Sequence, residues 1–162
     1  MKRLIFYTFA TLLLALTAFP SNGQDSGEDK TERETFVGPP PVVGSWKFQS
    51  SRYRADSCVM SGNMYIRQTS SANVFKCSFT AIEDCDGQDK WVVEQTCEAT
   101  LGDGRLGIKS EIVNFLQAKE FTASYAPDHF ALTVVNRELM TGSLVSAVVA
   151  PVEFRRQADN LS

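Results

Sequence analysis

Hydrophobic residues between Asn73 and Leu101 recur at every second position, and this period constrains the fold more than any other feature of the chain. Phe75, Cys77, Phe79 and Ala81 share one parity, while Lys76, Ser78 and Thr80 take the other. Further on, Trp91, Val93, Cys97 and Ala99 share a face, with Gln95 as its polar exception. Glu94, Thr96, Glu98 and Thr100 fall opposite, with Val92 among them. Successive side chains of a strand point to opposite faces, so the pattern describes two half-buried β-strands. The stretch Asp84-Cys85-Asp86-Gly87-Gln88-Asp89 is turn-forming, which makes Asn73–Leu101 a predicted hairpin.

The same period extends through the rest of the domain. Strands are predicted at Val43–Gln49, Gly62–Thr69, Leu106–Val113, Phe121–Tyr125, from Phe130 to Val134, at Leu139–Val145 and at Val148–Phe154. Gly102-Asp103-Gly104 reads as a hairpin turn, not a phosphate loop, because no helix follows it. Only Ile112–Lys119 has a helical spacing, and it is taken as a turn or a single helical turn. Eight or nine short-linked strands imply an all-β chain, a single antiparallel up-and-down meander. Closing that meander into a small barrel removes its exposed edges. Eight strands leave an interior that side chains fill or that holds one small ligand.

The chain's termini carry a separate message. Lys2 and Arg3 precede an apolar run, Leu4–Phe19, followed by Pro20-Ser21-Asn22-Gly23. That order describes a secretory signal peptide, residues 1–23, cut after Gly23. The run is too short for the roughly 20 residues of a membrane-spanning helix, so no membrane span is expected after cleavage. Cleavage removes two basic residues and shifts the formal charge from −3 to −5. An acidic chain lacks the basic footprint of a nucleic-acid binder. Residues 24–41 are expected to form a disordered acidic leader ending in Pro39-Pro40-Pro41, an extended spacer. The folded domain is placed at residues 42–156 and a flexible tail at 157–162. Periplasmic or extracellular localisation follows from the export signal.

Four cysteines in an exported chain imply disulfides. If the hairpin centres on Gly87, opposed residues have numbers summing to 174, and Cys77 opposes Cys97. The favoured pairing is therefore Cys77–Cys97 with Cys58–Cys85, and Cys77–Cys85 with Cys58–Cys97 is the alternative. Zinc is disfavoured because no Cys-x-x-Cys occurs and the chain has one His. Asp84, Asp86 and Gln88 fit the first three positions of a calcium loop, but Gln95 stands where a bidentate Glu belongs. No metal or other cofactor is expected.

No nucleophile motif accompanies His129, so no catalytic residue is assigned and the chain is read as a non-enzyme. His129, after Asp128, is taken as a surface turn residue. Asn160-Leu161-Ser162 is a glycosylation sequon in form. Inward-facing Met64, Phe75, Phe79, Trp91 and Phe130 either line a ligand cavity or fill the barrel. Gln95 would bond the backbone or a buried water, or mark a ligand contact.

Gly44-Ser45-Trp46 opens the first strand, and Phe154-Arg155-Arg156 closes the last. This arrangement resembles that of the lipocalins and the wider calycin superfamily. The resemblance implies that Trp46 closes the barrel floor, with Gly44 beside it, and that Arg155 or Arg156 covers the indole. In size the chain is similar to small bacterial periplasmic barrels, some of which inhibit proteases or lysozymes.

The chain is read first as an exported non-enzymatic binding protein, an inhibitor of a hydrolase acting through its loops and the tied segment Ser50–Ser61. The alternative is a lipocalin-like carrier of a small apolar ligand inside the barrel. A cavity above about 300 Å³ would favour the carrier, and a filled barrel with one protruding loop would favour the binder.

Overall fold

The computed structural model describes residues 41–55, 57–118 and 125–158. The chain divides into two units, Met1–Phe36 and Val37–Ser162, and the described residues all belong to the second. The signal peptide, most of the leader, the sequon, and Phe121 and Ala123 lie outside the described residues.

Eight antiparallel strands form a single closed up-and-down barrel in chain order. They are β1 (Gly44–Ser50), β2 (Cys58–Gln68), β3 (Val74–Cys85), β4 (Trp91–Gly102), β5 (Arg105–Gln117), β6 (His129–Val134), β7 (Leu139–Val145) and β8 (Val149–Arg156). β1 closes the sheet by pairing antiparallel with β8, Trp46 opposite Arg156 and Phe48 opposite Phe154. The β3–β4 register runs from Val74↔Thr100 to Glu83↔Trp91, every pair summing to 174. Tyr125 stands outside any strand, so the ninth expected strand is not among the described elements.

Two boundaries differ from expectation for identifiable reasons. β2 begins at Cys58, because Cys58 and Met60 continue the inward parity of Met64 and Ile66. The segment read as a loop, Ser50–Ser61, therefore shortens to residues 51–57. The helical spacing at Ile112–Lys119 belongs to β5, whose pairing with β4 shifts register twice. Val92↔Gln117 and Val93↔Phe115 leave Leu116 extra; Glu94↔Asn114 and Gln95↔Ile112 leave Val113 extra. These bulges place half-buried Ile112 and Phe115 three residues apart and turn Val113 and Leu116 to solvent. A bulged strand thus imitates the spacing of a helix turn.

The interior is packed with side chains. Phe48 sits at its centre, with ring centroids 5.9 Å from Phe79, 5.3 Å from Phe130 and 5.1 Å from Phe154. Phe130 also meets Phe79 at 5.8 Å and Phe154 at 5.1 Å. Phe48 and Phe154 are stacked and the other four pairs meet edge to face; such aromatic pairs contribute about 0.5–1.5 kcal/mol each beyond their area burial. Gly62 makes room for the hub, because a Cβ there would collide with the Phe48 ring and the Thr80 carbonyl.

Trp46 closes one end. It is fully buried, and its indole Nε1 donates to Val42 O at 2.9 Å. The Arg156 guanidinium lies over the ring, 4.4 Å from its centroid. Arg156 also donates to Val43 O at 2.7 Å, to Arg137 O at 2.6 Å and to Pro41 O. Arg155 points elsewhere and pairs with Glu153. Gln157, placed in the flexible tail by composition, donates its backbone N–H to Ser45 O and its amide to Asn63 Oδ1.

Candidate ligand site at the end opposite Trp46

The described residues include five buried polar ones: Ser50, Glu83, Gln95, Ser110 and Asp128. Each continues the inward parity of apolar neighbours toward the end opposite Trp46. Ser50 follows Trp46 and Phe48; Glu83 follows Phe79 and Ala81; on β4, which runs the opposite way, Gln95 lies beyond Ala99 and Cys97. Ser110 follows Leu106 and Ile108, and Asp128 shares the parity of Phe130 and Leu132. The barrel is therefore apolar from its floor through its centre and polar inside its far end.

These groups are not independent. Gln95 Nε2 donates to Asp128 Oδ2 at 2.6 Å, and Asp128 N donates to Gln95 Oε1 at 2.9 Å. The polar exception of β4 is thus used up by one residue, through backbone and side chain. Tyr125 Oη donates to the same Oδ2 at 2.6 Å. Ser110 Oγ donates to Asp128 O at 2.7 Å. Asp128 Oδ1 has no hydrogen-bond partner, alone among the buried side-chain N and O atoms of the described residues. The neighbouring Ser146 hydroxyl favours the ionised carboxylate, but its hydrogen goes to Ala126 O at 3.1 Å.

Across the cavity, Tyr53 Oη donates to Glu83 Oε1 at 2.8 Å, and Arg54 Nη1 lies 3.1 Å from the same oxygen. Glu83 is buried, whereas the Arg54 side chain is 46% exposed. Arg54 also leans over the Tyr53 ring, 5.8 Å from its centroid. Its turn is strained: Arg54 and Ala55 have φ of 50° and 55°. Non-glycine residues in this region cost about 1–3 kcal/mol each, and such strain collects at functional positions.

Burial pushes the Asp128 carboxyl above its ordinary range, and the hydrogen bonds from Tyr125 and Gln95 only partly offset it. Burial also raises both phenols, and the nearby carboxylates add to the effect, Glu83 at Tyr53 and Asp128 at Tyr125. Tyr53 and Tyr125 therefore remain donors across the neutral range.

Between these groups lies a cavity of about 60 Å³, walled by Met60, Trp91, Tyr125, Leu144 and Val148, with Glu83 and Asp128 at its polar side. Trp91, Phe115 and Tyr125 form an aromatic cluster there, with centroids 5.4–6.1 Å apart. Of the expected lining residues, Trp91 alone borders this space. Met64, Phe75, Phe79 and Phe130 are buried in the packed barrel, and Gln95 acts behind Asp128.

Other sequence-level candidates fall elsewhere. Asp128 and His129 do not form an exposed turn: Asp128 is fully buried, and His129 begins β6, its Nδ1 accepting from Ser110 N at 3.0 Å. Asp84 and Asp86 pair with Lys90 and Arg52. Cys58 is bonded to Cys85 and Cys77 to Cys97. Cys58, Glu83 and Cys85 bring donor atoms within 4.8 Å of one another, but both sulfurs are spent in the disulfide and offer no thiolate.

Sequence reasoning found Gln95 and missed Tyr53, Glu83, Tyr125 and Asp128. The parity of β3, carried two residues past Ala81, points to Glu83. The parity of β6, carried back past its first residue, points to Asp128.

No protein-family model and no curated protein matches the sequence. Among solved structures the chain is similar to a redesigned β-barrel, mFAP1, bound to DFHBI, with TM-score 0.54 and 9% identity over 72% of this chain and 95% of that one. It is similar also to the redesigned β-barrel b11L5F_LGL, with TM-score 0.51 and 9% identity over 73% of this chain and 93% of that one. At this identity the likeness is one of fold. The eight-stranded closed meander agrees in outline with calycin-like barrels, and neither comparison singles out a lipocalin or an inhibitor family.

Proposed function

We propose that the protein is an exported, non-enzymatic binding protein that holds a small ligand at the end of the barrel opposite Trp46. The observation that carries this reading is a roughly 60 Å³ cavity, part aromatic and part acidic, bordered by a buried carboxylate, Asp128, one of whose oxygens has no hydrogen-bond partner. A buried polar atom left unsatisfied costs roughly 1–3 kcal/mol, and a ligand donor would recover that. The solved barrel bound to DFHBI supports the reading, since a protein of similar fold is bound to a small molecule.

The cavity is several times the roughly 15 Å³ that one water needs, yet far below the roughly 300 Å³ that would favour a lipocalin-like carrier. The ligand proposed here is therefore smaller than a carrier's, with an apolar part against Trp91 and Leu144. Hydrolase inhibition has less support. Tyr53, in the segment that would have to act as the inhibitory loop, is turned inward: it exchanges backbone hydrogen bonds with Cys58, and its hydroxyl is held on Glu83.

Fragments below about ten heavy atoms, screened by ligand-observed NMR, should include binders that quench Trp91 and compete for one site. Ala147 is an exposed residue that lines the same cavity, and blocking the space with Ala147→Trp should abolish that binding while the barrel stays folded. Binders unaffected by Ala147→Trp, or no binders at all, would sink the proposal. The export half has its own check: mass spectrometry of the secreted protein should find an N-terminus at or near Gln24, and intact Met1 would exclude it.

A further inference from the structure

We infer that the ligand of this cavity is a small primary amine in its ammonium form, and that Arg54 is a resident cation which it displaces. The inference rests on the cavity being the ligand site and adds the ligand's chemical class.

The titratable groups facing the space are Tyr53, Arg54, Glu83, Tyr125 and Asp128. Two are carboxylates and one is a cation. Both phenol hydrogens point at carboxylate oxygens, so they are not offered to a ligand. What remains for a ligand is acceptor capacity, namely Asp128 Oδ1 and the Glu83 oxygen now shared with Arg54. An ammonium group brings three donors and one positive charge, which suits two acidic acceptors and aromatic walls. A carboxylate, phosphate or sulfate would meet the like charge of Glu83 and Asp128, against a single cation, Arg54, already paired with Glu83.

Arg54 shows the same preference from within the chain. Its guanidinium pairs with Glu83 and leans over the Tyr53 ring, so a carboxylate and an aromatic face already hold a cation at the rim. Its half-exposed side chain can swing into water, whereas Glu83 stays buried. The left-handed backbone at Arg54 and Ala55 holds the plug in place, and Ser57 fixes that turn by donating from N and Oγ to Arg54 O. Withdrawal of the guanidinium would enlarge the cavity and uncover the second acceptor together.

Titration calorimetry with n-propylamine, benzylamine and benzyl alcohol on the oxidised protein tests the assignment. The amines should bind at least tenfold more tightly than benzyl alcohol, the neutral isostere. Asp128→Asn should weaken amine binding at least tenfold and leave benzyl alcohol nearly unchanged. Arg54→Gln should strengthen amine binding several-fold, since a competitor is gone; near-UV circular dichroism would check that the variants retain the native packing. If benzyl alcohol binds as well as benzylamine and Ala147→Trp blocks both, the cavity is the site and the amine assignment is wrong. If Arg54→Gln folds normally and weakens amine binding, Arg54 is a ligand contact and the displacement is overturned. If none of the three binds, the amine assignment falls, and the fragment screen decides separately whether the cavity is a site.

Discussion

Gly44 has a φ of 129° and lies against Arg156, so that a Cβ there would collide with the guanidinium. The Gly-x-Trp at the start of β1 is thus one physical unit with the terminal arginine, glycine making the space, tryptophan supplying the surface and arginine closing it. Gly44→Ala should cost about 2–4 kcal/mol, since it strains the backbone and dislodges charge-assisted bonds worth about 1.5–3 kcal/mol each. The same loss should appear in Arg156→Ala, and the double variant should cost little more than either single change. Additive urea-denaturation costs would show that the two residues act separately. Asp128 behaves differently, since its burial works against its charge. The folded chain holds the Asp128 proton more tightly than the unfolded chain does. Its contribution is therefore full below the ordinary aspartate pKa of about 3.9 and is lost as pH rises toward the higher folded value. Asp128→Asn removes that titration. Between about pH 4 and pH 7 its urea midpoint should gain on the parent's, and a constant difference across that range would contradict the assignment.

Strand parity carries the fold, and its failures are local. The 174 sum across Gly87 holds along the whole of β3 and β4 because no residue interrupts either strand there. The β4–β5 pair departs from a fixed sum at two bulges, where apolar residues fall three apart and alternation ceases to report a face. Bulges depend on the neighbouring strand, so a one-strand pattern does not reveal them. The polar end of the barrel was legible only in part for a related reason. Glu83 and Asp128 obey the parity of β3 and β6, but their convergence with Tyr53 and Tyr125 is made by strands and connections far apart in sequence. The turn between β4 and β5 shows the opposite case, where local chemistry suffices. Asp103 and Gly104, with φ of 49° and 71°, link paired Gly102 and Arg105 as a two-residue hairpin. Gly104→Ala should cost about 1 kcal/mol or more, because the Cβ disfavours this backbone region. A thermal midpoint equal to the parent's would show that the turn relaxes to another type without loss.

The barrel has two ends with different work, and its disulfides are divided between them. Cys77–Cys97 joins β3 to β4 at a paired register position, between strands that the sheet already holds together. Cys58–Cys85 joins the first residue of β2 to the last of β3, beside the strained turn at Arg54 and the acidic cavity. Chain-entropy arithmetic gives the two bridges similar worth, about 3–4 kcal/mol each, since their loops are of similar length. Their effect on binding should nevertheless differ. Replacing Cys58 and Cys85 by Ser frees the rim at Tyr53 and Glu83, whereas the Phe48 cluster and the Trp46–Arg156 closure lie at a distance from it. Hydrogen exchange should then quicken at residues 51–57 and 86–90 while the amides of Trp46 and Phe48 keep their protection. Amine affinity should fall at least tenfold in this variant and change little when Cys77 and Cys97 are replaced instead. Equal losses from both double variants would mean that the barrel responds as one cooperative body, with no separate binding end.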